Sequence, residues 1–491
     1  MVFASSATHF AERSLGVLGV AVGGYALFLL ASAQLLNDPD SHWHLHVGQQ
    51  ILATASFPRS DAFSHSFSGA PWIAKEWLSQ VLIAWAYSVG GWLAVSALMA
   101  AAAATALAIL ARDLLARLPL MHATALLGFA LLCLVPHFLA RPHVLALPVM
   151  AAWFSLLFGT VERDGRPPWA AALLMVPWSN LHGSFTFGLA FGALLAVEAV
   201  LRAAPGQRWR RLGAWTLFGS VSVAAASIHP YGLESLLAAG RVLNLGEAKA
   251  VIGEWRPHDF SSFSLFQALL LGGIGAALIA GLRLSLYRAL LLLLLLHLVL
   301  THQRHLTLLG LLAPLVVAPA LATRDLDVAS PRSGWVRSLV FAAAGWVGVT
   351  GLAVALGHDP KPAPRWIPEA ALAAAREAGV TGRVLNDYGF GGYLITRGIP
   401  TYVDGRTELF GGRFVAATIQ AMALEDLDGL HAILDDPRIG WTLLTPSRSL
   451  VTYLDRLPEW RRIHTDAIAV VHVRVPAAGD AAAGRPGGAG P

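Results

Sequence analysis

The chain has 491 residues, 56% hydrophobic and only 13% charged, against roughly 25% charged in soluble domains, and its mean hydropathy is +0.58. This excludes a soluble globular enzyme and points to a polytopic membrane protein too long for one ordinary core. The net charge of +5 comes from arginines scattered through short loops, a topology signal and no nucleic-acid surface, while a single cysteine, Cys133, rules out an internal disulfide framework.

Glu12 and Arg13 precede an apolar run of about 20 residues, the length of a spanning anchor and not of a cleavable signal. With Arg13 inside, the first span, Leu15–Leu36, delivers residues 37–77 to the external side. In that loop Val47–Ser56 is expected to form a short helix on the membrane surface, and Phe57–Gly69 a loop broken by Pro58 and Gly69. Glu76–Ser88 has the spacing of an interfacial helix, with Trp77 and Trp85 at headgroup depth. Gly90 and Gly91 break it before the second span, Trp92–Ala111, which ends at Arg112 and Arg117. Met121–Pro136 and Val144–Val161 flank an external corner, Pro136–His143. Trp169–Leu201 has room for two short crossings around Ser179–Ser184. A polar break at that depth is tolerated only where it lines a wet cavity or is buried in protein. Leu212–Ile228, Leu265–Leu282, Ala289–Thr301, Leu306–Leu321 and Leu339–Leu356 complete the set, about eleven crossings at the roughly 20-residue length each needs, with some shorter. HPYG (His229–Gly232), GEWRPHD (Gly253–Asp259) and THQRH (Thr301–His305) fall outside; TRDLD and PRSGWVR fall inside.

Residues 1–357 thus read as a transmembrane domain with its first external loop at 37–77. Beyond it Pro360, Pro362 and Pro364 form a stiff linker. Glu369–Ala378 reads as a helix, and Val384–Asn386, Thr401–Val403, Trp441–Leu444 and Ala469–Val473 as short buried strands. Residues 358–475 are therefore expected to form a small external α/β domain, and 476–491, rich in Ala, Gly and Pro, a disordered tail.

This topology puts Asp38, Asp40, His42, His44, His46, Glu76, Arg141, His143, Asn180, His182, Glu254, Arg304 and His305 on one side, each at a span end or in an adjoining loop. Ionisable groups near the membrane are costly and tend to mark pathways or reaction sites. The chemistry that fits is transfer from a lipid phosphate lodged in the outer leaflet. Its leaving group needs cationic hydrogen-bond donors, for which Arg141, His143, Arg304 and His305 are candidates. An acceptor hydroxyl needs a carboxylate to take its proton, for which Asp40 is the candidate with Asp38 as partner. The two aspartates also suit a hard divalent cation, magnesium or manganese. His42, His44, Glu76, Asn180, His182 and Glu254 are candidates for the substrate-facing wall.

Each piece has a plainer reading. DPD equally caps the helix that follows. HWHLH, whose imidazoles share a face only on a strand, is more readily interfacial packing than a metal site. RPH is equally a turn with a snorkelling arginine, HPYG is more readily a turn than a ligand site, and NLHGS also suits a polar helix contact.

At this point the chain resembles the GT-C superfamily of polyprenyl-phosphate-dependent membrane glycosyltransferases, near its bacterial protein-mannosyltransferase-like members. The resemblance rests on NDPDSHWHL after the first span, the surface helices that follow it, and a C-terminal external domain. DPDSHWHLHVGQQIL, FPRSDAFSHS, PWIAKEWLSQ, RPHVL, WSNLHGSF, HPYG, GEWRP, YGFGGYLI and VDGRTELF together are similar to a group of bacterial membrane proteins. It implies a sugar donor on a polyprenyl phosphate, an envelope acceptor and an inverting transfer with Asp40 as base. It further implies a multi-pass protein of the bacterial inner membrane with its C-terminal domain periplasmic or extracellular. Here a proline separates the two aspartates, where many members have an adjacent Asp-Glu pair. A transporter or flippase for a lipid-linked or anionic solute, and a non-catalytic membrane scaffold, are the rival readings. The first fits poorly because the chain shows no internal repeat and its charges are one-sided. In the C-terminal region the glycines of DYGFGGYL and VDGRTELF read as turns or as points of close ligand approach, and Asp404 with Arg406 as a structural pair.

Overall fold

The computed structural model describes residues 2–242, 253–322 and 335–475. Most of the TRDLD–PRSGWVR loop and the whole tail from 476 lie outside the described residues. The chain is an integral membrane protein built as a helical bundle. Among the described residues six helices are long and apolar enough to cross a bilayer, and three shorter apolar helices accompany them. Not all of the eleven expected crossings, some of them expected to be shorter, appear at spanning length among the described residues. Trp169–Ala172 and Met175–Leu181 are too short to span a bilayer, and Arg208–Ala226 opens on three arginines within its first turn.

The bundle comprises α1 (Val2–Leu30), α3 (Trp77–Arg117), α4 (Leu120–Leu134), α5 (Pro142–Glu162), α6 (Phe185–Arg202), α7 (Arg208–Ala226), α8 (Leu265–Ile279), α9 (Leu286–Thr301), α10 (Leu306–Leu321) and α11 (Trp335–Ala355). A further helix, α2 (Asp40–Thr54), lies at one end. One continuous apolar core runs through it, from Phe28 and Leu107 through Phe154 and Trp178 to Leu312. Large apolar side chains also face outward, Ile279 at 92% exposure among them, which suits a lipid surround where burial between helices is not the driving force.

Local geometry corrects one expectation and bears out another. The surface helix begins at Asp40, not Val47, so the three histidines of HWHLH are helical and not on a strand. Pro39 is already helical at φ −65°, and an Asp38 carboxylate oxygen accepts from the Asp40 backbone N–H at 3.4 Å, which draws the first turn back toward the aspartates. The expected interfacial helix and second span both appear, as the two halves of α3 on either side of the expected break at Gly90 and Gly91. Gly91 sits at φ 59°, ψ −149°, a conformation that only glycine adopts without strain.

The C-terminal sheet has the order β1-β2-β4-β3: β1 (Arg383–Asn386) runs parallel to β2 (Ile439–Leu444), and β4 (Val470–Arg474) pairs antiparallel with both β2 and β3 (Trp460–Thr465). Neighbouring residues face opposite layers. Val384, Leu443 and Val471 pack on Leu372 and Leu394, whereas Leu385, Leu444 and Val470 pack on Met422, Leu430 and Leu454. Helices thus cover both faces, which is why the inner strands read as largely apolar runs. The edge strand β3, WRRIHT, carries no such run and gave no sequence signal. Thr401–Val403 is not a strand of this sheet. Thr401 instead bridges Ser64 of the first loop, and the Asn386 side chain donates to the Val403 carbonyl at 2.8 Å.

Candidate functional site

The helices carry two polar networks, one at each end of the bundle. At the first end, the start of α5 brings Arg141 to Asp38. Arg141 Nε donates to Asp38 Oδ2 at 2.8 Å and Nη2 to Oδ1 at 2.6 Å, a bidentate pair. The same Nη2 lies 3.0 Å from Asp40 Oδ2. Arg141 Nη1 reaches Glu254 Oε2 at 3.1 Å, and Arg304, just before α10, reaches Glu254 Oε1 at 3.4 Å. Arg304 also stacks over Trp255, 4.1 Å from the ring centre. Residues from four distant segments therefore form one connected group of three carboxylates and two guanidiniums.

Burial dominates the electrostatics. It raises the Asp40 carboxyl to about 7; Arg141 opposes that rise, and the charges of Asp38 and Glu254 add to it. Glu254 is also disfavoured by burial, but Arg141 and Arg304 outweigh this and hold it at about 2. Burial also lowers His42 to about 4 and pushes His44 and His182 well below the usual imidazole value. At neutral pH these three rings are uncharged, so they bring hydrogen-bonding capacity and no cationic charge to the site.

Of the remaining candidates, Glu76, His143 and His182 gather beside the first group, and His42, Asn180 and His305 have other partners. His182 Nε2 lies 3.5 Å from Glu76 Oε1, and the His182 and His143 rings are 6.0 Å apart. His143 Nε2 pairs with the His137 carbonyl at 2.8 Å. His44 Nδ1 lies 3.3 Å from Gln80 Nε2. Asn180 is a structural pin, accepting from Trp77 Nε1 at 2.6 Å and donating to the Val176 and Ile228 carbonyls. His305 is buried edge-on to Phe187, 5.1 Å between centroids. The ring of His42 packs edge-on to Trp92 and Tyr393. HPYG is a turn, in which Tyr231 donates to the Pro58 carbonyl at 2.7 Å.

The aspartates are poorly disposed for a divalent cation. Both oxygens of Asp38 are taken by Arg141, and among the described residues no group of three or more His, Cys, Asp or Glu is arranged to hold a metal ion.

The C-terminal region supplies part of this site, which the motifs alone did not reveal. A Cβ on Gly405 would lie 1.9 Å from Asp40 Oδ1, and one on Gly392 would lie 2.3 Å from the Pro39 carbonyl oxygen. These glycines mark close approach of the sheet domain to the first-loop acid, neither a free turn nor a ligand cradle. Tyr388 comes near enough that the Asp40 charge adds to burial in pushing its phenol upward. Lys75 Nζ donates to Glu408 Oε1 at 2.7 Å. Asp404 and Arg406 do form a pair, and Asp61 of the first loop completes it: Arg406 donates to Asp404 at 2.8 and 2.7 Å and to Asp61 at 2.5 Å, all three fully buried. The signal for Asp61, Lys75, Tyr388, Gly405 and Glu408 lay in motifs already singled out, but nothing local says that they meet.

No protein-family profile and no curated protein matches the chain. Among solved structures, ArnT from Cupriavidus metallidurans bound to undecaprenyl phosphate is similar over 94% of this chain and 97% of its own, at 14% identity and a TM-score of 0.50. The archaeal oligosaccharyltransferase AglB from Archaeoglobus fulgidus, in complex with an inhibitory peptide and a dolichol-phosphate, aligns over 88% of this chain and 69% of its own, at 11% identity and a TM-score of 0.49. With a membrane bundle, an acidic first loop and a sheet domain seated on that loop, the chain shares the overall fold of ArnT.

Proposed function

We propose that the protein is an inverting glycosyltransferase that moves a sugar from a polyprenyl phosphate to an acceptor at the external face of a bacterial inner membrane. The observation that carries the reading is Asp40: a buried carboxylate raised to about 7, at the edge of the bundle and against Arg141. A general base works best with its pKa near the operating pH. In the transfer the acceptor oxygen attacks the anomeric carbon, the bond from that carbon to the phosphate oxygen breaks, and the electron pair leaves with the phosphate. The acceptor proton passes to Asp40.

The charge balance favours that direction. Three carboxylates against two guanidiniums leave the cluster at −1 while Asp40 is ionised. Protonation of Asp40 brings it to zero as negative charge develops on the departing phosphate. Arg304, its side chain 27% exposed, is the guanidinium best placed to meet that phosphate. Arg141, engaged by Asp38, instead positions the acids. Beside this end lies an apolar groove of about 600 Å³ lined by Trp77, Leu78, Val176, Pro177, Ile228 and Pro230, among others, which suits an isoprenoid chain. The fold likeness to a structure holding undecaprenyl phosphate supports the same donor class.

The test is Asp40→Asn in membranes supplied with labelled lipid-linked sugar. Loss of a general base lowers transfer by about 10²- to 10⁴-fold; an unchanged rate removes Asp40 from this role.

A further inference from the structure

The second polar network sits at the opposite end of the same helices. α3 and α5 begin beside the aspartates and finish at Arg117 and Glu162, which pair with each other. α6 ends at Arg202, and α9 begins just before Arg288. The 16 residues of α10 separate the two networks by about 24 Å at the helical rise. Between these helix ends is a cavity of about 690 Å³ lined by Arg117, Arg202, Arg283, Arg288, Glu162 and Glu198, with an apolar wall from the end of α10. Four guanidiniums face two carboxylates there, an excess of +2.

Arg288 makes this more than a charged rim. Its side chain is only 6% exposed and stacks over Phe158 at 4.5 Å. Nε donates to Glu198 Oε1 at 3.0 Å, a carboxylate that Arg202 also approaches at 3.3 Å. The two terminal nitrogens of Arg288 have no hydrogen-bond acceptor, and the second carboxylate, Glu162, stands 3.7 Å from Nη1, beyond hydrogen-bond reach. A guanidinium has five N–H donors, and leaving most of them unsatisfied in a buried site is costly. Arg283 adds an exposed guanidinium with no carboxylate partner among the described residues.

We infer that this cavity binds a phosphate-bearing anion, with Arg288 and Arg283 as its principal donors. A phosphate presents several acceptor oxygens at the spacing of a guanidinium fork, and the charge excess matches a dianion. The source is either a lipid headgroup, whose chains would lie along the apolar wall, or a soluble phosphate ester. The site is separate from the Asp40 cluster and does not depend on the reaction assigned there.

Full-length protein in neutral detergent is titrated with inorganic pyrophosphate, and separately placed in nanodiscs of dioleoyl phosphatidate or dioleoyl phosphatidylcholine, with occupancy read by native mass spectrometry. Wild type, Arg283→Ala, Arg288→Gln and Arg304→Gln are compared. The inference expects at least tenfold weaker binding in the first two variants and none of that loss in Arg304→Gln. Binding of phosphatidate alone assigns the lipid source; binding of pyrophosphate alone assigns the soluble one. Equal binding in wild type and Arg283→Ala, loss confined to Arg304→Gln, or no binding of either probe overturns it. Arg283 is exposed, so its variant decides the matter even if Arg288→Gln fails to fold.

Discussion

Arg406→Met tests whether the sheet domain is held on the membrane domain by one buried ionic knot. Arg406, Asp61 and Asp404 are all fully buried, and Asp61 and Arg406 are 345 residues apart in sequence. Methionine retains the apolar bulk among Phe63, Trp72 and Phe410, whose rings surround the guanidinium at 5.0–5.9 Å. It leaves two carboxylates buried without a cation. Removing one member of a buried pair costs roughly 3–5 kcal/mol, and each 1.4 kcal/mol is a factor of ten. The opening equilibrium of the sheet domain should therefore rise by about 10²- to 4 × 10³-fold. Hydrogen exchange at β1 and β2 and the rate of proteolytic cleavage in the linker after His358 both read this opening. A partial rescue by Asp404→Asn in the Arg406→Met background is expected, because that change removes one of the stranded charges. An opening constant within threefold of wild type would refute the reasoning.

Two further outcomes follow from the Asp40 end. Gly405→Ala puts a methyl carbon 1.9 Å from Asp40 Oδ1 and 2.9 Å from Trp43 Nε1; overpacking of this kind costs about 1–3 kcal/mol. Transfer should fall at least tenfold while the bundle stays folded, as assayed by labelled-sugar transfer beside thermal scans; full activity would place the sheet domain away from the acid. The transfer rate constant should rise with pH through a midpoint near 7 and then level, because only the ionised Asp40 accepts a proton and burial raises its carboxyl to about 7. The same shift has the opposite sign for stability. A carboxyl raised on folding stabilises the fold fully below its unfolded value near 4, and that contribution is lost as pH rises through the folded value. A rate profile flat between pH 5.5 and 8.5 contradicts the assignment.

Much of the architecture was readable from local pattern. Apolar runs of spanning length fix helices such as Pro142–Glu162 and Leu306–Leu321 almost to the residue, and paired glycines announced the break inside α3. Short β-rich runs gave β1, β2 and β4. What failed locally were segments whose conformation depends on a distant partner. Thr401–Val403 has strand composition but is claimed by Ser64 and Asn386. β3 is polar because its edge position demands little burial.

For the site, the order of amino acids shows which residues are ionisable and that they sit at helix ends, since a bilayer excludes them from anywhere else without partners. Which of them meet is settled by the folded arrangement. Arg141 is held by Asp38; Asn180, read as cavity wall, lines the apolar groove and also pins Trp77; Gly405 lies against Asp40 from 365 positions away. Periodicity reports a residue's immediate neighbours along one helix or strand. Coulombic pairing and close backbone contact join residues that are near in space and unrelated in the chain, so they leave no periodic trace in the order of amino acids.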